Sequence, residues 1–303
     1  ALSSAASDVY KRQTLSNELL TIAVSESGAE LCSILDRHQT EYLWQADPAF
    51  WKRHSPVLFP IVGAVWNNEF RHDGKTYTMG QHGFARDMDF ETIKVTDDEL
   101  RFRLVSNADT LAHFPFAFEL EIGYRLCGNN ITVQWQVRNT GDTVLPFQIG
   151  AHPAFYYPDF NPDETMRGYF EFDTSGPLQY TPLGEKGCAV QDSRTLNLTG
   201  GRLPVDRHTF DTDALIFEDS QIRRVTLCDK SGEPYITLAF AAPLVGLWSP
   251  PKKNAPFVCI EPWYGRCDAV GYAGDFENKK WIERLSAGSV FSAEYTITVE
   301  RAM

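Results

Sequence analysis

Two histidines and one glutamate, each set in a short distinctive segment, are the residues of this chain best suited to chemistry. His82 lies in Gln81-His82-Gly83-Phe84-Ala85-Arg86, His152 in Gly150-Ala151-His152-Pro153-Ala154-Phe155, and Glu261 in Ile260-Glu261-Pro262-Trp263. With reference pKa values of roughly 4.3 for Glu and 6.5 for His, a carboxylate base and a partly protonated imidazole acid coexist near neutral pH. Placed among aromatic residues, such groups suit proton transfer to and from a neutral hydroxylated molecule. His152 and Glu261 each precede a proline, which biases them toward extended backbone, as at a strand end facing a cleft. The remaining histidines, His38, His54, His72, His113 and His208, sit in no such segment and read as surface or core residues.

The elements that must hold these groups read as β-strands. Leu20-Thr21-Ile22-Ala23-Val24, Phe102-Arg103-Leu104-Val105, Ile131-Thr132-Val133-Gln134-Trp135-Gln136-Val137 and Tyr235-Ile236-Thr237-Leu238-Ala239-Phe240 are alternating or β-branched runs, the signature of half-buried strands. Between such runs stand Glu26-Ser27-Gly28-Ala29, His72-Asp73-Gly74-Lys75, Cys127-Gly128-Asn129-Asn130 and Asp229-Lys230-Ser231-Gly232, where Gly and Asn tolerate the positive φ of tight turns. The chain is expected to be an all-β, mostly antiparallel protein. Short helical turns are expected at residues 47–53 and 279–285. Residues 155–205, rich in Pro, Gly, Asp and aromatics, read as long loops shaping a site or covering a sheet edge, with only Tyr169-Phe170-Glu171-Phe172 clearly strand.

A length of 303 residues, 43% hydrophobic and 22% charged, fits a single large β domain spanning 1–303, with 1–10 a loose N-terminal segment. The net charge of -12 repels polyanions, which argues against nucleic acid and anionic membrane as partners. The six cysteines, Cys32, Cys127, Cys188, Cys228, Cys259 and Cys267, form no C-x-x-C pair and no zinc spacing, and read as reduced thiols. No apolar run has transmembrane length, and the opening residues lack the pattern of a signal peptide, so the cytoplasm is the expected location. Asn197-Leu198-Thr199 matches a glycosylation acceptor but reads as a chance tripeptide in that setting. The sequence carries no signal of oligomeric state.

Taken in order, the three segments resemble those of the aldose 1-epimerase (galactose mutarotase-like) family, in its divergent bacterial branch. Tyr42-Leu43-Trp44-Gln45-Ala46-Asp47-Pro48-Ala49-Phe50-Trp51 and Ser55-Pro56-Val57-Leu58-Phe59-Pro60-Ile61-Val62-Gly63 are also similar to that branch, so the likeness covers almost the whole chain. It implies a galactose-mutarotase-like β-supersandwich with a sugar cleft on one face, a small-molecule sugar as partner, and no metal or organic cofactor. It further implies that Glu261 takes the proton from the C1 hydroxyl while His152 protonates the ring oxygen. The ring then opens, C1–C2 rotates, and reclosure gives the other anomer. His82 shares the acid role or stabilises developing charge.

The same resemblance gives Asp213 a sugar-binding place, although a turn residue before a strand fits it equally. Trp263, Phe84 and Phe155 are candidates for an apolar wall against a pyranose, or for core. The family's sugar-gripping Asn-Arg pair is missing here, with Ala64 following Gly63 and Asn67-Asn68 beyond. Arg86 and Arg53 are the substitutes, and guanidinium suits bidentate anion binding. Lys252 and Lys253 read as solvated. The reading is therefore a hexose 1-epimerase, with a hexose-6-phosphate 1-epimerase and a non-catalytic carbohydrate-binding or sugar-sensing protein as alternatives.

Overall fold

The computed structural model describes residues 12–302; the segment 1–10, expected to be loose, lies outside the described residues. Two large antiparallel sheets dominate. The nine-stranded sheet runs, edge to edge, Arg202–Asp206, Met166–Phe172, Arg224–Cys228, Pro234–Phe240, Val290–Val299, Asn130–Asn139, Phe118–Cys127, Glu99–Val105 and Glu91–Val95. The eight-stranded sheet runs Arg194–Leu196, Leu178–Thr181, Leu215–Phe217, Leu244–Trp248, Phe257–Tyr264, Ile149–Ala151 and Val57–Leu58, with Ala154–Tyr156 also paired to Phe257–Tyr264. A three-stranded sheet of Arg12–Ser16, Leu20–Ser25 and Leu31–Asp36 precedes them.

Alternation decides which face each strand buries. Along Asn130–Asn139, Ile131, Val133, Trp135 and Val137 are buried while the residues between them are half-buried or exposed, so one face packs and the other meets solvent. Phe257–Tyr264 is buried almost throughout, and its two faces do different things. Val258 and Ile260 join the main apolar cluster with Ile131, Val133 and Trp135 of the other sheet. Cys259 and Trp263 point to the opposite side, into two smaller clusters. Glu261, between them in the same period, is thereby aimed away from the core. Each fully buried apolar side chain on the core face stabilises by about 1.5–3 kcal/mol, which fixes the strand that carries Glu261.

The short turn expected at residues 47–53 forms, closed by Phe50 and Trp51 N–H groups on the Asp47 carbonyl; two other local expectations change. Residues 279–285 are not helical: Glu283–Leu285 is a strand paired with Leu145–Phe147, so tertiary pairing overrides local preference. Residues 155–205 hold more strand than expected, with Leu178–Thr181, Arg194–Leu196 and Arg202–Asp206 added to Met166–Phe172. The α-helix Ala108–His113 was not anticipated; the Asn107 side chain and Thr110 cap it reciprocally.

A candidate active site at the cleft between three loops and a buried strand

Phe257–Tyr264 forms the floor of a cavity of about 360 Å³, within the range of about 300–1,000 Å³ common for small-molecule sites. Glu261 comes up from this strand, 1% exposed. Facing it is a break in the neighbouring strand. Ile149 and Gly150 pair with Tyr264 and Trp263, Ala154 pairs with Cys259, and His152-Pro153 fills the gap between these pairings. Pro153 has no N–H to continue the ladder, and its carbonyl instead accepts from Ile260 N–H at 3.3 Å. The interruption turns His152 toward the carboxylate, with Nε2 3.3 Å from Glu261 Oε2.

Aromatic side chains box in the imidazole. Trp51 stacks on His152 with centroids 4.7 Å apart and planes at 28°, and Trp248 meets it edge-on at 5.4 Å. Trp263 lies flat over Gly246, where a Cβ would come within 2.4 Å of the indole, and its Nε1–H donates to the Ala151 carbonyl at 3.2 Å. Trp51, Trp248 and Trp263 all line the cavity.

His82 arrives from a loop and is oriented by backbone. Its φ is 65°; its own N–H donates to the Gly63 carbonyl, and the Gly63 N–H donates back to Nδ1 at 3.1 Å. Nδ1 is thus an acceptor, so the proton of the neutral ring sits on Nε2. The following Gly83 must be glycine, because a Cβ would approach the Phe59 carbonyl oxygen to 2.2 Å. The His82 and His152 rings meet edge-on at 5.5 Å.

The reference pKa values do not survive this environment. Burial pushes Glu261 well above the usual carboxylate range, and the nearby Asp213 charge adds to the rise. Burial pulls His152 down to about 3, with Arg86 and Arg53 in the same direction. His82 is lowered as well, by burial first and then by His152, Arg86 and Arg53. Both members of the pair are therefore driven to their neutral forms: protonated Glu261 beside unprotonated His152. That state carries the same single proton as a carboxylate beside an imidazolium, so one internal transfer converts either into the other. Glu261 Oε2 and His152 Nδ1 have no hydrogen-bond partner among the described residues, a deficit that a polyhydroxylated ligand can relieve.

The other expected residues divide. Arg86 lines the cavity and donates to the Gln81 carbonyl at 2.7 Å. Burial lowers its pKa to about 10, and its Nε has no hydrogen-bond partner among the described residues. Asp213 lines the cavity with φ 88°, its Oδ1 accepting from the Ala214 N–H at 2.8 Å. Arg53 is not among the lining residues; it pairs with Asp87 at 2.7 Å. Phe84 corrects the expectation of an apolar wall. It stands outside the cavity, packed on Phe59, Phe114 and Phe118. Phe84 is partly buried against the core; Phe155 is fully buried within it. Trp51, Trp248 and Gln81, together with Leu183 and Gly187 from the stretch read as loops, line the site without having been singled out. Gln81 and Trp51 lie in the family-like segments 81–86 and 42–51 without a role of their own, and the sequence around Trp248, Leu183 and Gly187 carries no separate chemical signal.

Two sets of potential ligand atoms fall within 4.8 Å of one another: His152, Cys259 and Glu261, and Glu30, Cys32 and His54. Arginine charge bears on both, from Arg53 and Arg86 at His152 and Glu30 and from Arg12 at Cys32 and His54, which opposes a further cation at either place.

Comparison with known proteins agrees with this architecture. Residues 11–273 match the aldose 1-epimerase family. The chain belongs to that family. It is 31% identical to the chromosomal protein LacX of Lactococcus lactis subsp. lactis over 297 residues, 94% of this chain and 98% of the relative. A galactose mutarotase related enzyme from Lactobacillus acidophilus superposes with a TM-score of 0.91 at 33% identity, covering 96% of this chain and 98% of the other. A galactose mutarotase-like protein from Lactobacillus casei ATCC 334 gives 0.89 at 32%, covering 95% and 100%. The fold of this aldose 1-epimerase family member is the galactose-mutarotase-like antiparallel β-supersandwich. Among the described residues no helix is long and apolar enough to cross a membrane.

Proposed function

We propose that this protein is a mutarotase that interconverts the α and β anomers of a free hexose. One observation carries the reading: a glutamate and a histidine, both buried, face each other at 3.3 Å on the floor of a cavity with atoms left unpaired. Sugar binding alone does not require an acid and a base so close together. Glu261 as carboxylate takes the proton of the C1 hydroxyl, and the ring oxygen receives a proton from His152. The C1–O5 bond breaks to give the open aldehyde. Rotation about C1–C2 and reversal of both transfers give the opposite anomer and return the pair to its starting protonation. His82, with its proton on Nε2, donates a hydrogen bond to a sugar oxygen rather than a full proton. Asp213 and Arg86 hold hydroxyls, and Trp51, Trp248 and Trp263 supply the apolar wall.

A continuous apolar cluster reaching from Leu15 to Ala302 supports treating 1–303 as one domain, and six free cysteines fit the reducing cytoplasm. A second reading, hexose 6-phosphate as substrate, is favoured by the Arg86 guanidinium on the cavity wall, although Asp87 ion-pairs with both Arg86 and Arg53. Polarimetry of freshly dissolved α-glucose and α-galactose, and of glucose 6-phosphate, tests both. Faster equilibration of the free sugars supports the first reading. Strong preference for the phosphate, lost in Arg86→Ala, moves the assignment to the second. Absence of any acceleration leaves a carbohydrate-binding protein.

A further inference from the structure

Glu30, at the end of the turn before strand Leu31–Asp36, makes an unusual pair of contacts. Its Oε1 accepts from the backbone N–H of His54 at 2.8 Å and of Ser55 at 2.9 Å. No strand runs through residues 51–54; the Trp51 carbonyl accepts from Trp44 Nε1–H at 2.8 Å and the His54 carbonyl from Ala154 N–H at 3.0 Å, and this strap carries Trp51, the ring stacked on His152. Arg53 in the same strap is held by Asp87. The turn that carries Glu30 also grips the segment following His82. Gly28 N–H donates to the Met88 carbonyl at 2.7 Å, Phe90 N–H donates to the Glu26 carbonyl at 2.9 Å, and Ser27 bridges Asp89. Gly28 has no room for a Cβ, which would stand 2.8 Å from the Arg86 carbonyl oxygen. One small turn therefore anchors both the strap that packs against His152 and the chain that continues from His82.

We propose that Glu30 is a positioning residue for the epimerase reaction: by capping the His54 and Ser55 amides it sets the strap so that Trp51 stacks on the His152 ring. This rests on the mutarotase reading for its kinetic consequence, but not for the structural link. Glu30 lies outside the cavity lining, so its role is to position rather than to react. Both amides use the same oxygen, so the demand is for one acceptor at the right reach rather than for a charge. Loss of that acceptor leaves two amides without their partner and lets the strap shift within its remaining ties to Trp44, Ala154 and Asp87, and small displacements near reacting groups are costly. The stacked indole restricts His152 to the ring orientation that presents Nε2 to Glu261.

The variants Glu30→Met, Glu30→Gln and Trp51→Leu separate this role from general stability. Glu30→Met keeps the side-chain length without an acceptor, and kcat/KM should fall roughly tenfold to a hundredfold. Glu30→Gln keeps a carbonyl oxygen at the same reach and should restore most of the activity. The ring protons of His152, read by NMR and assigned with His152→Asn, should lose the ring-current shift of the stacked indole in Glu30→Met and keep it in Glu30→Gln. The double variant Glu30→Met/Trp51→Leu should be no slower than Trp51→Leu alone, because both act on one contact. Should Glu30→Met not fold, Glu30→Asp, which keeps the charge and shortens the reach, should show the altered His152 signal. An unchanged His152 signal in a folded Met or Asp variant, or additive losses in the double variant, overturns the proposal. A wild-type protein without anomerase activity that shows the expected shifts removes the reaction while leaving the positioning link in place.

Discussion

Two buried glutamates, one in each large sheet, show how the same side chain serves opposite ends. Glu99, in the nine-stranded sheet, is 5% exposed and sits between Lys94 at 2.5 Å and Arg101 at 2.8 Å. The hydrogen bond from Lys94, with help from Arg101, holds its pKa below the ordinary value. Glu261, in the eight-stranded sheet, is 1% exposed, and its close partner is a histidine that burial keeps uncharged. Its pKa moves well upward. Both depth and partners differ: Glu99 lies near the surface beside a half-exposed Lys94, whereas Glu261 is deeply buried, and that burial is the main cause of its rise. A carboxylate given cations is a structural fixture, whereas one given a neutral imidazole and an unpaired oxygen is poised to exchange a proton.

The largest test of this contrast is a pair of isosteric changes. Glu261→Gln should lower anomerisation on the order of 10²–10⁴-fold, since the amide cannot accept the proton, while its melting temperature stays level or rises because a buried ionisable group is gone. Glu99→Gln should do the reverse: unchanged rates, with stability reduced by about 1–3 kcal/mol through its charged hydrogen bonds. Denaturant titration and initial rates on the two variants read both quantities. Equal activity losses would dissolve the comparison.

Between the two histidines the split is finer. His152→Asn should reduce turnover on the order of 10²-fold or more with a smaller effect on sugar affinity. His82→Asn should weaken both if its Nε2–H, oriented by the Gly63 amide, donates to the sugar as proposed. Calorimetric sugar affinities set beside initial rates decide, and an effect of His152→Asn on affinity alone would remove its acid role. Smallest is Arg86→Ala. On free hexose it should raise KM a few-fold, equivalent to about 1 kcal/mol for a lost hydroxyl contact. On hexose 6-phosphate a much larger, salt-sensitive effect would indicate a phosphate grip.

How much of this was legible in the sequence follows from what is local. The proline after His152 and after Glu261 announced extended backbone, and the alternation through residues 131–137 announced a half-buried strand. The hairpin turns at Gly74, Gly128 and Gly232 were readable for the same reason. Trp51 and Trp248 were not, because what makes them part of the site is a fold that brings residues 51, 152 and 248 together. Strands of three or four residues, such as Arg194–Leu196, carry too few alternations to stand out from turn-rich sequence. Glu283–Leu285 depends on its partner strand. Phe84, two residues from His82, shows that an aromatic beside a site in sequence can pack against the core instead of lining the site. The pKa expectation failed because burial, the largest influence on both Glu261 and His152, is a property of the assembled sheets.

The central claim is that Glu261 and His152 share one proton in a buried pair and use it on the sugar. The pH dependence of kcat/KM reports the free enzyme and so tests that claim most directly. With His152 depressed to about 3 and Glu261 raised, the pair keeps one proton between the two values. The profile should be flat over that interval, with no limb at the ordinary histidine value. On the acid side it should fall only as a second proton enters toward the His152 value; on the alkaline side, only as Glu261 loses the shared proton. An acid limb centred near the ordinary histidine value of about 6.5 and abolished by His152→Asn would contradict the account.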